Sequence, residues 1–111
     1  MSADDLLTGL PGEELVRRGL EDLQAGRTTV WAYLVALAAP RLRRVGLIEA
    51  IPSDLSTDTE LRLYRLLRQE PGDAYSRYNA LLRELVSFEQ ALDRRSRQKL
   101  EPERRTGTGS V

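Results

Sequence analysis

Ten consecutive apolar residues, Val30 to Ala39 (Val-Trp-Ala-Tyr-Leu-Val-Ala-Leu-Ala-Ala), constrain this chain more than any other feature. A segment with no polar side has no natural solvent face and must be covered almost all round. It is either the central element of a small domain or the surface by which that domain meets a partner. At 111 residues and 41% apolar, the chain suffices for one modest core and not for two. The run is about half of the roughly 20 residues that a bilayer crossing needs, so no membrane span is expected.

Helical punctuation surrounds the run. Pro11 in a first turn, Glu13 and Glu14 at the positive helix end and Gly26 just past the close predict a helix over about 11–25. Its apolar arc carries Leu15, Val16, Leu20 and Leu23 with Gly19 in the middle. A mid-helix glycine costs roughly 1 kcal/mol against alanine, so its expected use is to admit another helix closely. The apolar run follows as a helix over about 29–39, capped by Thr28 or Thr29. One side is small (Ala32, Ala36, Ala39) and the other is bulky (Val30, Trp31, Leu34, Leu37). The close packing expected is therefore Gly19 against Ala32 and Ala36. Leucine at position 19 should overfill that contact, and alanine should be tolerated.

Pro40 interrupts the run and predicts a short helix at about 40–45. Residues 46–56 form a connector whose Leu47, Ile48, Ile51 and Leu55 should lie on the core, with a short strand at 47–51 as an alternative. Thr57-Asp-Thr-Glu60 has capping-box spacing and predicts a helix over about 58–69. Asp73 then caps a last helix over about 73–97, whose inward face is read as Ala74, Tyr75, Tyr78, Leu81, Leu82, Leu85, Val86, Phe88 and Leu92. The expected fold is all-α: a compact bundle of four main helices and a short one, within a helical domain at 11–98. Residues 1–10 are read as an N-terminal arm and 99–111 as a disordered tail.

Chemistry is sparse. The chain has neither histidine nor cysteine, which removes the commonest proton shuttle and the commonest thiol nucleophile. No serine sits in a nucleophile elbow and no phosphate-binding loop occurs, so no enzyme and no cofactor are expected. Asp54, Asp58 and Glu60 lack the glycine and terminal glutamate of a calcium loop, and no metal is expected there. Without disulfides or a basic leader, a cytoplasmic location is expected, and arginine at 16 of the 17 basic positions suggests GC-rich bacterial coding.

Three constellations remain. Arg41, Arg43, Arg44, Arg62, Arg65 and Arg68 would make an anion-binding surface if they shared a face, though interspersed acids leave 41–68 at only +2. Glu89 falls inside the apolar arc of the last helix beside Asp93. Either the helix leaves the core near Phe88, or an arginine or tyrosine hydroxyl partners the carboxylate, or the group is functional. Residues 23–34, Leu-Gln-Ala-Gly-Arg-Thr-Thr-Val-Trp-Ala-Tyr-Leu, resemble the turn and second helix of helix-turn-helix DNA-binding proteins. A recognition helix must show polar groups to base edges, and this one is apolar throughout after Thr29.

The expected function is that of a non-enzymatic protein–protein interaction module, self-associating or a small subunit of a bacterial complex, with Trp31, Tyr33, Leu34 and Leu37 as its interface. The alternative is a small nucleic-acid or anion-binding regulator that uses the arginines.

Overall fold

The computed structural model describes the backbone of residues 3–100 and the side chains of 4–98, and every regular element within them is an α-helix. In chain order these are α1 (Ala3–Leu7), α2 (Glu13–Gln24), α3 (Val30–Leu37), α4 (Ala39–Arg44), α5 (Ser53–Ser56), α6 (Thr59–Arg68) and α7 (Ala74–Leu100). No helix among them is long and apolar enough to cross a membrane.

The apolar run becomes α3 and the start of α4, and it lies at the centre. Val30, Ala32, Tyr33, Leu34, Val35, Ala38 and Ala39 are all buried. The most extensive helix pairing is α2 on α3, and α6 and α5 cover other sides of α3. Two polar devices hold the α2–α3 turn. Thr29 caps α3 by accepting the Ala32 N–H at 3.2 Å. The same hydroxyl donates to Asp22 Oδ2 at 2.6 Å, and Arg27 Nε donates to Asp22 Oδ1 at 2.8 Å. Asp22 is buried, and its carboxyl is held below the usual range, first by the Thr29 hydroxyl and then by Arg27.

Gly19 is the point of closest approach. A Cβ there would stand 3.0 Å from the Trp31 carbonyl carbon and nearer still to Trp31 O and Val35 Cγ2. The glycine thus faces the backbone of Trp31 and the side chain of Val35, not the alanine stripe expected of Ala32 and Ala36. Ala32 is buried and Ala36 is half-buried within the same helix.

The capping box at Thr57 does not form. Asp58 takes the left-handed conformation at φ 51°, tolerable for an aspartate, and α6 begins one residue late at Thr59. Glu60 is then out of register for a box, and the Thr59 hydroxyl donates to Leu55 O at 2.8 Å instead. Asp73 does cap α7, accepting from Tyr75 N at 3.0 Å and from Ser76 Oγ at 2.8 Å. The connector packs as expected: Leu55 is buried, and Leu47, Ile48 and Ile51 lie against the core as coil and a short helix, not as a strand.

The N-terminal arm expected at 1–10 instead carries α1, and Leu6, Leu7 and Leu10 are buried in the core. Two arginine contacts fasten it. Arg17 on α2 donates to Asp4 at 2.7 Å, and Arg95 on α7 donates to the carbonyl of Thr8 just past the end of α1. The tail expected to be disordered lies, from residue 101 onward, outside the described residues.

The geometry at Gly19 reverses the usual sign of a glycine-to-alanine change. Propensity alone would make Gly19→Ala more stable by about 1 kcal/mol. The methyl would push α2 off the α3 backbone, so the variant should be less stable by about 2 kcal/mol in denaturant unfolding. A gain in stability would contradict this packing. Asp22→Ala should likewise cost about 2 kcal/mol at neutral pH through the lost charge-assisted hydrogen bonds. Because the folded value of Asp22 is depressed, its contribution is complete above the ordinary 3.8 and disappears as pH falls through the lower folded value. The wild-type and Asp22→Ala stability curves should therefore converge in acid.

Candidate interaction surface

The interface expected on α3 is largely consumed by the chain's own fold. Leu34 and Tyr33 are buried, and Trp31 and Leu37 are half-buried. The bulky side of α3 is covered because α6 returns across it, with Leu63 and Leu67 buried in the same cluster. Trp31 and Leu37 remain partly accessible, and the Arg18 guanidinium lies over the Trp31 ring, 5.2 Å from the centroid. Buried on most of its sides and apolar throughout, α3 offers no polar stripe of the kind a recognition helix presents to base edges.

An open cleft of about 580 Å³ borders Trp31, between the end of α2, the start of α3 and the α6–α7 turn. Arg18, Asp22, Gln69, Glu70 and Arg77 contribute its polar groups. Three of them are already committed: Arg77 and Glu70 pair with each other, and Asp22 with Thr29 and Arg27. A carboxylate held below its ordinary range by such partners is a poor proton acceptor at neutral pH. The cleft therefore has structural polarity without an evident acid–base pair.

The six arginines do not act as one group. Arg41 reaches α7, where it donates to Asp93 and stands 3.4 Å from Glu89 Oε2. Arg62 donates to the carbonyl of Asp54 at 3.0 Å. Arg43, Arg44, Arg65 and Arg68 are exposed, and none of them meets a carboxylate among the described residues.

Glu89 is thus partnered, and α7 does not leave the core at Phe88: Ala91, Leu92 and Ser96 beyond it are buried. One guanidinium serves two carboxylates. Burial raises the Glu89 carboxyl above its usual range, Arg41 opposes that rise and Asp93 adds to it.

The large hydrophobic residues that remain exposed lie on α6 and α7. Leu61 is 49% exposed, Tyr75 64% and Val86 47%. Tyr75 and Val86 were expected inward, but they sit at the edge of a face centred on Leu85, Phe88 and Leu92. On the helical wheel Tyr75, Leu82 and Val86 fall within an arc of about 40°, displaced by roughly 60–100° from Leu85. The signal is legible in the sequence as a second 4–3 spacing, Tyr75, Asn79, Leu82, Val86, beside the first one. Treating the arc as a single wide face concealed it.

The hairpin that carries this surface is well registered. Tyr78 meets Tyr64 edge to face at 5.6 Å, and its hydroxyl donates to Glu60 at 3.2 Å. At the other end Arg77 pairs with Glu70. Comparison with known proteins finds no matching family model, and no curated protein or solved structure shows significant similarity to the chain.

A carboxyl whose folded value is raised stabilises the fold in its protonated form, below its unfolded value near 4.5, and that contribution is lost as pH rises through the folded value. Glu89→Gln should therefore gain stability relative to wild type as pH rises from about 4 to about 7, measured as the difference in denaturant midpoints. A variant that instead loses stability over that range would mean that the Arg41 pair outweighs the burial.

Proposed function

We propose that this protein is a non-enzymatic helical interaction module that meets a protein partner through the outer face of α6 and α7. The observation that supports this reading is the placement of the exposed apolar residues. Leu61, Tyr75 and Val86 are on two adjacent helices, while leucines elsewhere on α1, α2, α3 and α5 are buried or half-buried. Full burial of a large side chain is worth about 1.5–3 kcal/mol, so three such residues with Leu82 beside them give a partner a substantial apolar anchor. Arg65 and Arg68 would rim this face as exposed cations, a common setting for an interface core.

The α3 surface expected from the sequence does not supply the anchor, because it already serves the chain's own core. An anion-binding role would rest on four of the six arginines, since Arg41 and Arg62 are held by groups of the same chain.

Affinity capture from lysate of the source cell, with the full chain as bait, tests the reading. Wild type should retain a defined protein that a Leu61→Ser/Tyr75→Ser/Val86→Ser variant of equal helix content does not. Identical captured sets from the two baits, or none from either in the absence of self-association, would overturn it.

A further inference from the structure

We infer that the outer face of the α6–α7 hairpin receives a second copy of this chain, with the two α7 helices running antiparallel. The inference deepens the interaction reading above and rests on it. It starts from the two seams of α7. Tyr78, Leu81, Leu85, Phe88 and Leu92 follow one 3–4 spacing into the core, and Leu85, Phe88 and Leu92 are buried there. Tyr75, Asn79, Leu82, Val86, Glu89 and Asp93 follow a second 4–3 spacing on the neighbouring flank. A sustained spacing of this kind is the pattern by which one helix pairs with another.

The second seam is covered over only part of its length. Arg41 of α4 sits on Glu89 and Asp93. From Tyr75 to Val86, about 17 Å of helix at 1.5 Å per residue, its ends are open to solvent, and Leu82 between them is half-buried. Asn79 lies inside the open part, where a single polar residue fixes register and orientation in a helix pair.

Charge selects the occupant. Because Glu60 and Tyr64 both meet Tyr78, the antiparallel register puts Arg65 and Arg68 at the level of the first turn of α7, and Leu61 at the level of the turn that follows Tyr78. A two-fold axis between Leu82 and Val86 would set Tyr75 opposite Asp93 and Asn79 opposite Glu89 of the other copy. Arg65 and Arg68 of each copy would then stand beside the other's Glu89 and Asp93. Those two carboxylates share a single guanidinium, and Arg65 and Arg68 meet no carboxylate among the described residues. The two groups are opposite in sign, two exposed guanidinium groups against two carboxylates that share only Arg41, and they flank the open seam on either side. A parallel pairing would instead bring acids against acids and arginines against arginines, which is repulsive at both ends. An isologous antiparallel contact satisfies both ends at once.

The chain's lack of cysteine makes the test direct. The wild-type chain should sediment as a concentration-dependent dimer, and Val86→Glu, at an exposed position, should be monomeric with an unchanged circular dichroism spectrum. Arg65→Glu/Arg68→Glu should weaken the dimer about tenfold or more through like-charge contacts. When single-cysteine proteins Leu82→Cys and Val86→Cys are mixed in equal amounts and oxidised, the mixed disulfide should dominate over both homodisulfides. Dominant homodisulfides would overturn the antiparallel arrangement, and a dimer indifferent to Val86→Glu would overturn the surface. A wild-type monomer that still captures a protein through Leu61, Tyr75 and Val86 would sink the second-copy inference and leave the interaction reading standing. A monomer that captures nothing would sink both.

Discussion

The fold depends on the backbone-to-backbone approach of α2 and α3 at Gly19. A helix with apolar residues all round can be buried only if its neighbours come close on every side, and a side chain at position 19 would hold α2 away from the carbonyl of Trp31. The absent Cβ is the reason the widest helix pairing in the molecule can form. The turn between the two helices is fixed by a second constraint, the shared use of Asp22 and Thr29. That one hydroxyl accepts from the α3 backbone and donates to the α2 carboxylate, so the cap of one helix is also its tie to the other. With α2 and α3 locked, the remaining helices cover α3 and its neighbours.

The long α7 has a different role, that of a beam to which peripheral pieces are bolted by arginines. Arg95 takes a carbonyl just past the end of α1, and Arg41 brings α4 onto Glu89 and Asp93. These pairs cost desolvation, as the raised carboxyl of Glu89 shows, and they give specific seating more than net stability. A 27-residue helix is longer than the core it serves. Its second flank is therefore covered where Arg41 of α4 reaches it and open between Tyr75 and Val86.

Much of this architecture was legible in the sequence, and what escaped did so for identifiable reasons. The four main helices follow from 3.6-residue periodicity and from local caps such as Thr29 and Asp73, which depend only on near neighbours. The five residues of α1 are too short to show a period, so Leu6 and Leu7 could be assigned a place only by tertiary contact. The capping box failed because a left-handed Asp58 delayed the helix by one residue, a backbone choice that spacing does not encode. Glu89 was recognised as out of place, but Arg41 lies 48 positions away in sequence and α7 alone does not reveal it. Gly19 was read correctly as a close contact and wrongly as one that would tolerate alanine, because wheel geometry gives the face and not the distance. The surface on α6 and α7 was hidden by reading two adjacent seams as one broad arc.

Native-state hydrogen exchange tests the central claim, that the α2–α3 contact at Gly19 is the unit on which the rest is assembled. The amides of Leu20 and Leu23 in α2 and of Leu34 and Val35 in α3 should exchange only through global unfolding, while those of α1 and α5 should open at lower free energy. Exchange of the α3 amides by local opening well below the global value, with α7 still protected, would contradict the account.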